Sequence, residues 1–250
     1  MRTLNRGYTL IELMVAMAIS TLALISLTEL YSSTRLSYRL QSMQSRLSED
    51  GRFAVSMLQR LVSQAGYHSS SNVMTSSITA TNSTSMNIGF TGDGANTMTC
   101  DGSLANGVKN VTISSSETTL RCMDSSLTDP THNWIGASTG GNGTELADFR
   151  IGYGEDISAT HAGTGAVNAA YSCGATHKDC VADKYTYGNT SESVVSVKLC
   201  FILRSEASDS SVKRTAKYKN CTGEDIEDSF TDHKLYRTFN TTVLLKNRQG

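Results

Sequence analysis

From residue 10 to residue 27 every position is apolar or carries a small hydroxyl, with Glu12 as the one exception. The run continues to about Leu30, and an α-helix needs roughly 20 mostly apolar residues to cross a bilayer. Beyond it the pattern narrows. Leu36, Leu40, Met43 and Leu47 step by four, three and four, which is one face of a helix. Ala54, Leu58, Leu61 and Ala65 resume the stepping, and Phe53, Met57 and Val62 widen the stripe. A narrow seam suits contact with other helices, while a broad face suits burial against a domain. Gly51 costs about 1 kcal/mol relative to Ala within a helix, which predicts a bend or loosening there. Gly66 is a natural stop, because Gly readily takes the left-handed conformation after a helix. The pattern predicts a helix over residues 8–65, about 87 Å long at 1.5 Å per residue. That length makes sense only if half of it is embedded or bundled.

The period then changes. Residues 68–87 are rich in Ser, Thr and Asn and read as loop. Runs of β-branched and aromatic residues between Gly, Asn, Asp and Ser clusters predict strands over 86–90, 108–114, 118–123, 146–153, 194–204 and 235–246. The strongest, 194–204, is expected to be a central strand under the helix. Residues 128–143 and 155–189 read as polar excursions from the sheet. Pro130 is the only proline, so Gly and Asn make the turns.

Composition adds a compartment. Lys and Arg total 22 against 23 Asp and Glu, so there is no basic excess of the kind duplex binding relies on. No nucleic-acid partner is expected. All six cysteines, Cys100, Cys122, Cys173, Cys180, Cys200 and Cys221, lie beyond the apolar run, and an even count in an exported domain favours disulfides. Six cysteines allow 15 connectivities; pairing of sequence neighbours, Cys100–Cys122, Cys173–Cys180 and Cys200–Cys221, is the expectation. A metal site at Cys173, His177 and Cys180 lacks a recognisable ligand spacing. No metal or cofactor is expected.

Glu12 is the chemical puzzle of the apolar run. An acidic side chain inside a membrane span costs about 2.5–3.5 kcal/mol on the mildest scales, and nothing basic lies in the span to offset it. A secretory signal with a cut near Ala16-Met17-Ala18 is one reading, but the apolar run passes that point and Glu12 would sit in its core. A plain anchor explains neither Gly7 nor Glu12. The string Gly7-Tyr8-Thr9-Leu10-Ile11-Glu12 resembles the processing site of type IV prepilins and pseudopilins. The resemblance implies cleavage between Gly7 and Tyr8 by a prepilin peptidase, N-methylation of Tyr8, and attraction between Glu12 and the terminal amine of a neighbouring subunit. Arg2 and Arg6 place the N-terminus in the cytoplasm by the positive-inside tendency.

Further segments resemble the PilW-type minor pilins. These are Glu49-Asp50-Gly51-Arg52-Phe53-Ala54, Ala65-Gly66-Tyr67, Cys100-Asp101-Gly102, Leu120-Arg121-Cys122, the segment from Leu146 to Gly154, and the tail from Tyr236 to Arg248. The chain departs from that pattern where Glu29 occupies the place of a helix-bending proline, and where His68-Ser69-Ser70 replaces a frequent cysteine. The fold implied is α+β and pilin-like: a long N-terminal α-helix, its upper half spanning the membrane, packed on an antiparallel β-sheet with disulfide-pinned loops. The chain divides into a leader (1–7), a membrane and assembly half of the helix (8–30), an amphipathic half (31–66) and an exported β-rich domain (67–250). The function implied is priming of type IV pilus assembly and incorporation near the fibre tip. The implied partners are other minor pilins, the major pilin, the peptidase, inner-membrane lipid and a PilY-type tip adhesin. The resemblance also implies residence first in the bacterial inner membrane as a single-pass protein, with its C-terminal domain periplasmic, and then in the extracellular pilus.

Two other classes compete. A J-type pseudopilin of type II secretion shares the N-terminal logic. A tip ligand-binding module would use aromatics in the excursions, such as Trp134, Tyr171, Tyr185 and Tyr187. Catalysis finds no motif: there is no His-Glu-x-x-His, Gly-x-Ser-x-Gly, phosphate loop or dinucleotide fingerprint. His68, His132, His161, His177 and His233 are scattered without partners at useful spacing. Gly92-Asp93-Gly94 and Asp124 complete no calcium loop, and the Asn-x-Ser/Thr sites at Asn82 and Asn240 are expected by chance. The chain reads as a non-enzyme.

Overall fold

A computed structural model describes residues 9–68, 77–127, 130–136, 143–157, 181–189 and 194–247. Residues 1–45 and 46–250 form two compact units, and α1 (Leu10–Ser63) contributes to both. In the first unit the apolar side chains of α1 are exposed, from Leu10 at 77% to Leu30 at 65%.

The second unit holds the rest of α1 and two antiparallel sheets rather than one. The five-stranded sheet has the order β1 (Ile78–Asn82), β2 (Ser85–Met98), β3 (Leu104–Ser116), β4 (Thr119–Asp124) and β5 (Thr131–Ile135). In the four-stranded sheet, β6 (Thr144–Glu155) and β8 (Val194–Ser205) are central, with β7 (Lys184–Thr186) and β9 (Tyr236–Leu244) at the edges. The second sheet arises because the turns of the first take up the edge of β6. Ile151 N donates to Ser83 O at 2.7 Å, and Leu146 N donates to Thr118 O at 2.8 Å. The buried Tyr153 donates its hydroxyl to the same β1–β2 turn, 3.2 Å from the carbonyls of Asn82 and Ser85. Burial holds its phenol well above the usual range.

One core joins these layers. Ala54, Leu58, Leu61, Val62 and Ala65 of the helix segment are fully buried with Ile88, Ile113, Leu120, Ile151, Leu199 and Phe201. The expected broad helix face is present except at Phe53, which is 48% exposed. The central position expected for the 194–204 run is that of β8.

Gly51, expected to loosen the helix, lies instead inside unbroken α1 and is buried. The reason is packing. A Cβ there would sit 2.0 Å from Cζ of Phe239, whose ring stacks on Phe201 with centroids 5.1 Å apart. Gly66 does take a left-handed φ of 74° just past the helix.

Three strands lie in stretches expected to be loop: β1, β5 and β7. All are edge strands, half-exposed and short, so alternation has little to act on. β2 runs past residue 90 to Met98 because Gly92 lets the backbone approach β3, where a Cβ would meet Ala105 O at 2.3 Å.

Among the described residues two disulfides pin the unit. Cys100–Cys122 ties the turn after β2 to β4, and Cys200–Cys221 ties β8 to the long segment before β9. Loops of 22 and 21 residues make each worth about 3 kcal/mol on chain-entropy grounds. The expected Cys173–Cys180 pair lies outside the described residues.

Gly51→Ala should lower stability by about 1–3 kcal/mol through overpacking, although Ala is the better helix former. Combined with Phe239→Ala, the same substitution should become neutral or stabilising. Urea unfolding of the detergent-solubilised chain, followed through Trp134, checks both.

Candidate assembly site at the helix N-terminus

Thr9 and Glu12 close the start of α1 on each other. Thr9 N donates to Glu12 Oε2 at 2.9 Å and Thr9 Oγ1 donates to the same oxygen at 3.0 Å, while Glu12 N donates back to Thr9 Oγ1 at 3.4 Å. This is a capping box, in which a Thr and a Glu three residues on satisfy each other's orphan backbone donors. Oε1 of Glu12 accepts nothing among the described residues. The carboxylate is therefore half solvated by its own helix, yet no cation among the described residues balances it. Thr9 was missed as a site residue, although Thr-x-x-Glu before an apolar run is a legible capping signal.

The hydroxyls of the apolar run, and two just beyond it, are satisfied locally. Ser20, Thr21, Ser26, Thr28, Ser32 and Thr34 each donate a hydroxyl to a carbonyl three or four residues back, at 2.7–3.1 Å. Such back-bonding leaves no unpaired hydroxyl to face lipid. The described residues thus contain one helix long and apolar enough to cross a membrane, carrying one carboxylate near its start. Gly7 and Tyr8, the expected cleavage and methylation residues, lie outside the described residues.

Residues read as alternative sites take the following places in the structure. Trp134 packs on the core and its Nε1 donates to Cys100 O at 3.0 Å. Tyr185 and Tyr187 are 39% and 52% exposed and lie over Gly152; Tyr171 is outside the described residues. Asp93 is held by its own turn: Asn96 N and Nδ2 both donate at 2.8 Å, Ala95 N at 3.0 Å and the Tyr67 hydroxyl at 3.1 Å. Those donors, the Asn96 amide first, hold its carboxyl far below the usual range. Asp101 is depressed in the same way by Thr99 and Ser103. Asp124 is buried and accepts from Ser126 N and Oγ at 2.9 and 2.7 Å. No group of three potential metal ligands occurs among the described residues. Of the histidines, His233 places Nδ1 3.0 Å from Val212 O, His68 is exposed, and His161 and His177 are outside the described residues.

Sequence reasoning also missed the clamp over the segment before β9. The Arg214 guanidinium lies 5.2 and 4.7 Å from the ring centroids of Tyr218 and Tyr236, which stack on each other at 5.1 Å. Burial and the bond to Asp232 push the Tyr236 phenol up to about 12. Its members are spread over residues 214–236, and no local spacing marks them.

An exposed apolar helix leading into a disulfide-bonded β unit defines a pilin-like protein. A type IV-like pilin from Thermus thermophilus has the same fold, with a TM-score of 0.50 and 13% identity, covering 82% of this chain and 99% of that one. The family model for type IV pilus-assembly protein W matches residues 108–247, and the prokaryotic N-terminal methylation motif matches residues 2–28. The chain belongs to the PilW family of type IV pilus-assembly proteins. A comparison with curated protein sequences finds no match.

The depressed carboxyls at Asp93 and Asp101 fix the sign of an acid effect. Their folded values lie below the ordinary 3.8, so the stability they confer is complete above about pH 4 and is lost as pH falls further. Thermal melts from pH 6 down to pH 2 should show a progressive fall beginning near pH 4. Asp93→Asn should flatten part of it.

Proposed function

We propose that the chain is a minor pilin that helps prime a type IV pilus and enters the fibre at or near its tip. Residues 1–7 are its leader, cut by a prepilin peptidase between Gly7 and Tyr8. Tyr8 is then the N-methylated terminal residue. The protein waits in the inner membrane as a single-pass protein, with its N-terminus cytoplasmic and its β unit periplasmic. Other minor pilins and the major pilin are its partners, with a PilY-type adhesin at the tip.

One observation carries this reading. Glu12 keeps one carboxylate oxygen open, with no compensating cation among the described residues, at the start of the exposed apolar part of α1. Lipid penalises that charge, by about 2.5–3.5 kcal/mol on the mildest scales. A neighbouring subunit's terminal amine can approach Oε1 while Thr9 retains Oε2, so pairing removes the penalty without undoing the cap. The match to the PilW family favours a pilus over a secretion pseudopilus as the destination.

Mass spectrometry of the mature protein should find a methylated Tyr8 as the first residue; any other start overturns the leader assignment. Gly7→Ala should leave the leader uncut on a gel. Glu12→Ala should be cut normally but fail to enter pili, and unchanged piliation in that strain would remove the pairing role.

A further inference from the structure

Among the described residues, no strand pairs with the outer edge of β9 along its nine residues. β9 pairs with β8 from Tyr236 opposite Arg204 to Leu244 opposite Ser196 with no register shift, so no bulge interrupts it. Leu245 N donates to Val195 O at 2.9 Å, which makes the odd-numbered residues of β9 the ones bonded to β8. The backbone groups of Thr238, Asn240, Thr242 and Leu244 therefore point away from the sheet. Natural edges are usually blunted by proline, bulges, inward charges or a covering element. β9 has no proline, and its one charged residue, Arg237, is engaged with Ser48 and the Phe239 ring.

Beside this edge runs a groove of about 440 Å³ between α1 and β9. Ser56 and Ser63 keep the helix side low, Thr242 and Leu244 form the strand side, and Arg60 and Lys246 supply charge. No acidic residue lines it. Leu244 is 53% exposed and offers an apolar contact.

We infer that β9 is a docking edge for an extended acidic segment of another protein, which adds as a further strand along the groove. Main-chain bonds to residues 238–244 supply the affinity, and Arg60 and Lys246 select acidic side chains. The inference stands apart from the role of Glu12, since leader cleavage and amine pairing involve no residue of this groove.

The test uses the full-length protein in detergent and a synthetic nine-residue peptide alternating Glu and Val. Binding followed by fluorescence anisotropy should be salt-sensitive. Hydrogen exchange should slow at the amides of Thr238, Asn240, Thr242 and Leu244 while the odd-numbered amides change little. The double substitution Arg60→Glu with Lys246→Glu should weaken binding at least tenfold. Thr242→Pro, which removes only an outward-facing N–H, should do the same. No protection at those four amides, unchanged affinity after charge reversal, or equal binding of a Lys-Val peptide would overturn the proposal. Protection that appears on concentrating the protein without peptide would assign the edge to a second copy and overturn it equally. The charge-reversed variant changes only exposed side chains, so the outcome does not hinge on how the proline variant folds.

Discussion

The ring of Phe239 in the space left by Gly51 is the contact on which the 46–250 unit is built. It sets the rotation of the helix segment, because only one residue there lacks a Cβ and only one ring fills the gap. Stacking of Phe239 on Phe201 carries that constraint into the centre of the four-stranded sheet. Polar contacts then keep helix and edge strand in step. Gln59 Nε2 donates to Thr241 Oγ1 at 2.7 Å, and Asn247 Nδ2 donates to Ser63 O at 3.0 Å. With the helix so placed, Leu58, Leu61 and Val62 face the core, and the turns of the five-stranded sheet close on β6.

The first unit follows a different physics. No sheet covers its apolar side chains, and the hydroxyls of the apolar run are settled onto helix carbonyls, as Glu12 is onto Thr9. Near its start Glu12 keeps a negative charge with one oxygen unbonded among the described residues. The capping box describes the form in which that charge is presented.

Much of this could be read from the residues. The apolar run, the broad face at residues 54–65 and the β-branched runs of β3, β4, β6, β8 and β9 each carry a period strong enough to be seen. The short edge strands were not legible, because a strand with one pairing partner and one wet face needs few apolar residues. The split into two sheets was hidden for a related reason: it depends on Ser83 and Thr118, turn residues whose backbone rather than side chain does the bonding. Gly51 was noticed but misread, since helix propensity speaks to the cost of a glycine and says nothing of the ring that requires it. At the candidate site Glu12 stood out by its charge, whereas Thr9 looked like one hydroxyl among many.

The back-bonded hydroxyls of the span have a mechanical side. Each shared carbonyl serves two donors, so the hydrogen-bond ladder of α1 is softened at six places between residues 16 and 30. Where a proline would concentrate compliance at one hinge, here it is spread over four turns. Under tension such a rod yields by gradual curvature rather than by folding at a joint.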